Sequence, residues 1–512
     1  MTDVTVIDTA HAGPLVAGLA WAAATSGAPA NIRFSFPSSS SVWDFERAYA
    51  DSETPTQNFA SLSDPGAQQM FRQVLAAWAS TAKLAFTEVS DDAGGSGDIR
   101  IAYTGSAMTP TQLAYAYLPN RLGNGGDIWL NQALRSDLLA NFEPQSLAGY
   151  TLLHEAGHAL GLKHPDEALE TNAATLDVLT DTLFNTVMSR TVWPGVAASV
   201  AGNIDRYPST PMALDIDAMR LMYGKRTDWN TGDDVYVFSG TGRYLQTLLD
   251  GGGNDSIRLD GDAGGEIDLR PGQWSQLGMA VQINSGRIVN PDTVFIYQDT
   301  LIENAIGGNG HDKLIGNALD NLLDGRGGND TLNGNAGLDT ALFHGPRANY
   351  LLSRTGNGYV ISDTSGVEGL DTLSNVERLL FADHGVALDI DGNAGRTARI
   401  LGAVFGPAGL QNKEYAGFGL RWLDAARPYQ DLIQLALDTR LGPQPSHEDV
   451  VHLLYRNVVG NAPDAGELAA YVAMLDNGFH SPASLGLFAA ETTANANQVD
   501  LVGLTLSGLA YL

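Results

Sequence analysis

The alternation of apolar and polar residues changes rhythm along the chain, and each rhythm predicts a different kind of element. Ile32-Arg-Phe-Ser-Phe36 alternates with period two and predicts a strand, followed by a serine-rich loop. Ser63-Asp64-Pro65 then opens a helix in which Met70, Val74, Leu75 and Trp78 recur at helical spacing on one face. Phe86 to Val89 and Asp98 to Ala102 predict two more strands, and Pro211 to Gly224 returns to helical spacing. Upstream, Ala12 to Ala24 is apolar but too short to span a bilayer, so it predicts a buried helix. Strands and helices alternating in this way indicate an α/β domain over residues 1–240.

From Gly307 the rhythm becomes a period of nine. Gly307, Gly316, Gly325 and Gly334 open successive units, with Asp312, Asn321, Asp330 and Asp339 at the sixth place and Leu314, Leu323, Leu332 and Ala341 at the eighth. An inward apolar residue and an outward glycine-aspartate loop at this period predict a calcium-binding parallel β-roll. Glycine turns expose carbonyl oxygens and aspartates add charged ones, which is what a hard cation needs. With two nonapeptides per coil, loops 307–312 and 325–330 stack on one side and loops 316–321 and 334–339 on the other. The candidate calcium-binding residues are Gly308, Gly310, Asp312, Gly325, Gly327, Asp330, Gly334 and Asp339, preceded by Glu303 and by an acidic turn with Asp250, Gly252 and Asp255. Without calcium the stacked carboxylates repel, so the roll is expected to be disordered in a low-calcium cytosol and to fold outside it.

Residues 342–390, with Tyr350 to Arg354 and Gly358 to Asp363, predict strands that complete an all-β region spanning 241–390. From about Asp391 the spacing turns helical. Two similar blocks, Ile400 to Gly406 with Glu414 to Asp424 and Leu454 to Gly460 with Glu467 to Asp476, predict paired helical hairpins in an all-α region, 391–512.

The candidate chemistry lies in Thr151 to Pro165, where His154, His158 and His164 fall within eleven residues. On a helix, His154 and His158 stand one turn apart on one face. Gly161 can take the left-handed conformation that ends the helix and lets His164 swing back as a third ligand. Three imidazoles leave the fourth position of a tetrahedral zinc open, the catalytic arrangement, and Glu155 is the candidate general base beside it.

His154-Glu155-x-x-His158-x-x-Gly161-x-x-His164, with Ala159 to Leu162 and His164-Pro165, resembles the serralysins, secreted bacterial calcium-dependent zinc proteases of the metzincin group. The resemblance covers roughly residues 15 to 390 and implies a zinc endopeptidase acting on extended polypeptide. It implies that Met188 is the methionine of the tight turn beneath the metal. It also implies that Ala114 to Tyr117, the Gly123 to Gly126 turn and Asp127 to Asn131 form the sheet edge above the cleft. Two residues beyond Met188 the family carries a tyrosine where this chain has Arg190, which is either an oxyanion donor or a surface residue. Asn230-Thr-Gly232-Asp-Asp234 is similar to the linker where the family binds calcium, with Asn230 in place of the usual arginine. The expected cofactors are therefore Zn2+ and Ca2+. The helical region resembles a domain of unknown function found on other secreted repeat proteins.

Composition sharpens this picture. The net charge of −29, from 58 acidic against 29 basic residues, makes nucleic acid a poor partner and divalent cations good ones. The chain has no cysteine, which excludes disulfides and latency through a thiol that blocks the zinc. The first basic residue is Arg33, so residues 1 to 32 lack the positive start of a secretory signal peptide. The expected route is the type I secretion machinery, with an export signal in the apolar end from Val499 to Leu512, an extracellular location, no transmembrane segment and a monomeric state. Two other readings stay open: a non-catalytic extracellular repeat protein with a vestigial zinc site, and a protease held latent by its C-terminal region.

Overall fold

The computed structural model describes residues 2–6, 13–21, 27–43, 58–105, 108–198, 203–356 and 358–512. These fall into two units, Met1–Asp255 with Pro271–Ile302, and Ser256–Arg270 with Glu303–Leu512.

In the first unit β1 (Val4–Val6) pairs antiparallel with β2 (Leu19–Trp21). The main sheet contains β3 (Ala30–Ser35), β4 (Phe59–Ser61), β5 (Leu84–Glu88), β6 (Ile99–Thr104), β7 (Ala114–Ala116) and β8 (Ile128–Asn131). Its order is β5-β3-β6-β8-β7, with β4 also pairing with β6. The β5, β3, β6 and β8 neighbours are parallel, whereas β7 runs antiparallel to β8 at the edge. Every residue of β6 and β8 is buried, as expected of central strands covered on both faces.

Helix α1 (Pro65–Thr81) starts where Asp64 accepts a hydrogen bond from the Ala67 amide, with Pro65 in the first turn. Its Met70, Val74, Leu75 and Trp78 are buried as their spacing predicts. The Trp78 indole N–H reaches the Leu153 carbonyl at 3.1 Å, which ties α1 to α2 (Leu147–Ala159). Helix α3 (Ala213–Tyr223) closes this part of the unit.

The expected helix over Ala12 to Ala24 is not formed; residues 13–21 run as a turn, a bridge and β2, and the rest of that stretch lies outside the described residues. The stretch is buried as its apolar character predicts, with Leu15, Val16, Ala17, Ala20 and Trp21 at most 2% exposed. The backbone, however, is committed elsewhere. The Ala17 amide donates to the Gly161 carbonyl at 2.8 Å, the Lys163 amide donates to the Leu15 carbonyl at 2.7 Å, and the Trp21 indole donates to the Ala159 carbonyl at 2.7 Å. An extended segment can make such bonds across to another chain turn; a helix satisfies its own backbone and cannot.

In the second unit, strands of three to five residues form two parallel ladders. One joins Ser256–Asp260, Asn304–Ile306, Leu322–Asp324, Thr340–Leu342 and Arg378–Leu380; the other joins Glu266–Asp268, Lys313–Ile315, Thr331–Asn333 and Leu370–Ser374. Asn304 pairs with Leu322 and Leu322 with Thr340, so one turn of the chain consumes two nonapeptides. Ala305, Leu314, Leu323, Leu332 and Ala341 are all 0 to 1% exposed and fill the space inside. The sixth residue explains the glycine at the first. A Cβ added at Gly307, Gly316, Gly325 or Gly334 would lie 2.6, 2.4, 2.4 or 2.3 Å from a side-chain oxygen of Asp312, Asn321, Asp330 or Asp339.

The C-terminal region is helical, with α4 (Asn393–Ile400), α5 (Lys413–Asp424), α6 (Tyr429–Leu441), α7 (His447–Val459) and α8 (Ala465–Asp476) followed by shorter helices. The final strand, Leu509–Tyr511, returns to pair antiparallel with Gly385–Ala387. Arg378, 4% exposed, bonds to Asp389 and donates both to Asp424 Oδ1 at 2.9 Å and to Asp424 Oδ2 at 3.0 Å. Replacing Arg378 by Met would leave two carboxylates without their buried cation. It is expected to destabilise this unit by roughly 2–4 kcal/mol, read as a lower urea midpoint by circular dichroism.

Candidate metal centre

Helix α2 begins at Ser146, whose hydroxyl accepts from the Gly149 amide at 2.9 Å. It carries His154, Glu155 and His158 and ends at Gly161, where φ is +106°. A Cβ at Gly161 would lie 2.3 Å from the Leu19 carbonyl oxygen, so both the backbone conformation and the approach of β2 demand glycine. Beyond the turn, the Lys163 ammonium is buried and donates to the carbonyls of Glu167 and Ala174 at 2.5 and 2.7 Å. These bonds fix the loop that presents His164.

The three imidazoles meet. His164 Nε2 lies 3.2 Å from His154 Nε2 and 3.1 Å from His158 Nε2. Two ligands about 2.0–2.1 Å from a tetrahedral zinc stand about 3.4 Å apart, so this spacing fits one ion. The far nitrogens settle the tautomer: Nδ1 of His154 faces the Val187 carbonyl at 2.8 Å, that of His158 the Leu162 carbonyl at 2.8 Å, and that of His164 the Glu167 carboxylate at 3.3 Å. Each Nδ1 carries its proton toward an oxygen, leaving three Nε2 lone pairs aimed at one point. Burial also keeps the rings neutral, pushing His154 well down, His158 down to about 4 and His164 down to about 3.

Glu155 is 6% exposed, its Oε2 has no hydrogen-bond partner, and burial raises its pKa to about 8. Met188 is fully buried, with its sulfur 2.5 Å from where a Cβ on Gly157 would stand, so it packs directly against α2 between the two helical histidines. Arg190 is exposed and paired with Asp166 at 2.5 Å.

Several supporting residues escaped the sequence reading. Asp215, fully buried, accepts from the Thr186 hydroxyl at 2.5 Å and from the Val187 and Met212 amides at 2.8 Å each, holding the turn that offers the Val187 carbonyl to His154. Tyr150 stacks on Tyr207 at 4.9 Å and donates to the Ser189 carbonyl at 3.0 Å. Asp215 stands three residues into a helix, where an acidic residue reads as a cap, and nothing local reveals the distant turn it holds.

Oxygen clusters occur elsewhere. Asp234, Asp250 and Asp255 each offer an oxygen within 4.8 Å of the others. Beside them, Asn230 donates to the Tyr236 hydroxyl at 3.1 Å, the Gly252 amide donates to Asp250 at 2.6 Å, and a Cβ at Gly253 would lie 2.0 Å from the Gly232 carbonyl. In the second unit, carboxylates stack from coil to coil. The Asp312 amide donates to Asp330 and the Asp330 amide to Asp371, both at 2.8 Å, while on the other side the Asn321 amide donates to Asp339 at 2.8 Å and the Asp339 amide to Glu377 at 2.9 Å. Asp330 Oδ2 and Asp339 Oδ2 are buried without a partner. Gly308 donates to Asp312 at 2.7 Å, Gly310 and Gly327 lie where neighbouring coils approach, and the Glu303 carbonyl accepts from Asn321 at 2.9 Å. Asp371 and Glu377 extend the ladders but lie outside the nine-residue register.

A parallel-stranded sheet with an antiparallel edge, packed against a helix that contributes two of three converging histidines, is the arrangement expected from the resemblance to metzincins. A family profile described as Matrixin matches residues 52–179. The chain is similar to Serralysin of Proteus mirabilis, 35% identical over 58% of this chain and 61% of that protein. It is also similar to Metalloprotease AprA of Pseudomonas entomophila, 32% identical over 52% and 56%, and to Serralysin C of Dickeya chrysanthemi, 32% identical over 56% and 59%. The chain thus spans about three fifths of the length of these curated relatives. The histidine-bearing segment is thus similar to serralysins, and zinc is the metal that this likeness implies. Among the described residues, no helix is long and apolar enough to cross a membrane.

Gly161→Ala is expected to destabilise the first unit by more than ~1 kcal/mol, because the left-handed turn and the contact with β2 are both lost. Urea unfolding of the metal-free protein checks this, and an unchanged midpoint would contradict the proposed clamp.

Proposed function

We propose that this chain is a zinc-dependent endopeptidase acting on extended polypeptide, with His154, His158 and His164 holding the zinc and Glu155 acting as general base and acid. The observation that carries this reading is the convergence of three Nε2 lone pairs, each backed by an oxygen on the opposite nitrogen, beside a buried carboxyl. Zinc held there would supply Lewis-acid polarisation of water and of the scissile carbonyl. Glu155 takes the proton of the attacking water and returns it to the leaving nitrogen. Burial raises its pKa to about 8, a bound cation lowers it, and the opposition suits both transfers. The edge strand β7 can add an extended substrate through main-chain hydrogen bonds, which favours broad specificity. Met188 serves as the apolar floor. Asp166 competes with any oxyanion for the Arg190 guanidinium.

In the same reading, the cluster around Asp234, Asp250 and Asp255 and the loops carrying Asp312, Asp330 and Asp339 bind calcium, and the parallel ladders are a calcium-dependent β-roll. The division into regions 1–240, 241–390 and 391–512, export through type I machinery and an extracellular site of action belong to this proposal. The stacked unpaired carboxylates support it, because a chain that folds only on meeting calcium can cross a membrane unfolded.

Glu155→Gln is expected to keep one zinc per chain and lose about 10²–10⁴ in kcat/KM on unfolded casein; a variant as active as the parent, or an inert zinc-loaded parent, rejects the catalytic assignment. Calcium dependence has its own signature. Burial raises Asp330 to about 8, Asp371 to about 7 and Asp339 to about 6, from an ordinary 3.8. Such groups favour the folded state below about pH 4 and lose that contribution as pH rises toward 8. In chelator the second unit is therefore expected to be more stable at pH 5 than at pH 8, with saturating calcium reversing or abolishing the slope, as followed by urea midpoints.

A further inference from the structure

Among the described residues the main sheet of the first unit ends on β7, and the hydrogen bonds of that strand fix which residues turn outward. The Tyr117 amide donates to the Asp127 carbonyl at 3.0 Å and the Leu113 carbonyl accepts from the Asn131 amide at 2.9 Å, so the odd-numbered residues turn their main-chain groups toward β8. By alternation Ala114 and Ala116 direct theirs to the outer edge. The side-chain amide of Gln112 reaches the Ala114 carbonyl there at 3.4 Å, a long bond that an incoming amide can displace.

The side chains of β7 divide between two faces. Ala114 and Ala116 pack on the core shared with Leu152, Leu153 and Ala156 of α2, the helix that carries two of the histidines. Tyr115 and Tyr117 lie on the other face, partly exposed and edge to face, with ring centres 5.7 Å apart. They end a row. Ala102 on β6 stands opposite Trp129 on β8, and Trp129 stands opposite Tyr115. Trp129 is 1% exposed, with the Trp43 ring 5.1 Å away. The row thus runs across the sheet from a buried tryptophan to tyrosines at the rim, and the next member would come from a strand added outside β7.

Such a strand, running antiparallel as the more stable pairing does, bonds to Ala114 and Ala116. Its residue opposite Tyr115 then falls in a non-hydrogen-bonded pair, with Cα atoms about 4.5 Å apart, where cross-strand side chains make their closest contact. Main-chain pairing is indifferent to sequence. This pair is not, because an aromatic or large apolar side chain there covers the tyrosine rings.

We infer that Tyr115 and Tyr117 are specificity-determining residues that select polypeptide with bulky apolar, above all aromatic, side chains two residues apart on the face turned away from α2. The occupant is the extended substrate of the endopeptidase proposed above, and the selectivity rests on that reading.

The test compares two fluorescein-labelled peptides, one alternating serine with phenylalanine and the other serine with alanine, on the zinc-loaded full-length chain. Cleavage is read as kcat/KM, and binding by polarisation on zinc-loaded Glu155→Gln with and without Tyr115→Thr. The phenylalanine peptide is expected to be favoured in both, mainly through KM. In Tyr115→Thr, which keeps a strand-forming residue, that preference is expected to fall about two- to tenfold, and in Tyr115→Phe to persist. A ratio between two peptides is insensitive to a misfolded fraction of the variant. Equal treatment of the two peptides by the parent, or a ratio unchanged in Tyr115→Thr, overturns the selectivity and leaves peptide cleavage standing. An inert zinc-loaded parent whose Glu155→Gln form still binds with a preference that Tyr115→Thr removes rejects the endopeptidase and supports the aromatic edge; an inert parent without that preference overturns both.

Discussion

The histidine centre depends on the bonds made by the nitrogens that do not point into it. An imidazole whose Nδ1 is tied to a carbonyl cannot rotate or change tautomer without breaking that bond, so the Val187 and Leu162 carbonyls orient His154 and His158 as firmly as the helix does. Each carbonyl belongs to a turn held from elsewhere. Segment 15–21 clamps the turn at Leu162 through main-chain bonds to Gly161 and Lys163 and through the Trp21 indole on the Ala159 carbonyl, and Asp215 on α3 clamps the turn at Val187. The centre is therefore the meeting point of three stretches far apart in the chain.

The repeat region is governed by a different constraint, the crowding of like charges. Folding the sixth side chain over the first glycine directs one oxygen into the turn, and at Asp330 and Asp339 an amide of the preceding coil donates to the other. Repetition stacks these carboxylates, and burial makes each harder to ionise. The ladder continues to Asp371 and Glu377 although a hairpin of Tyr350–Thr355 and Gly358–Asp363 interrupts the sequence period. Spatial register survives an insertion because a strand pairs with whichever strand arrives beside it.

The helical region is stitched to the strands rather than appended to them. Leu509–Tyr511 supplies a strand of the same sheet as Gly385–Ala387, and Arg378 reaches from its strand to Asp424 on α5. Removing residues 391–512 would thus strip a strand and a buried charge pair from what remains, and loss or gain of activity in such a truncation would not report on latency alone.

What the sequence determined by itself was periodic or motif-bound: the α1 face, the alternating strand expected over 32–36 and found over 30–35, the two-nonapeptide coil, and the three histidines with Glu155 and Gly161. Those features are local, since helical spacing, a left-handed glycine and a nine-residue repeat are written within a few turns of chain. Only the tertiary structure decided that the apolar stretch near residue 16 is extended, that Asp215 holds the Val187 turn, that Asp371 and Glu377 finish the carboxylate ladders, and that the last strand closes on Gly385–Ala387. In each of these cases a backbone or carboxylate group found its partner across tens to hundreds of residues. Hydrophobicity records that a segment will be buried, but not which distant amide or carbonyl will satisfy its polar atoms once it is.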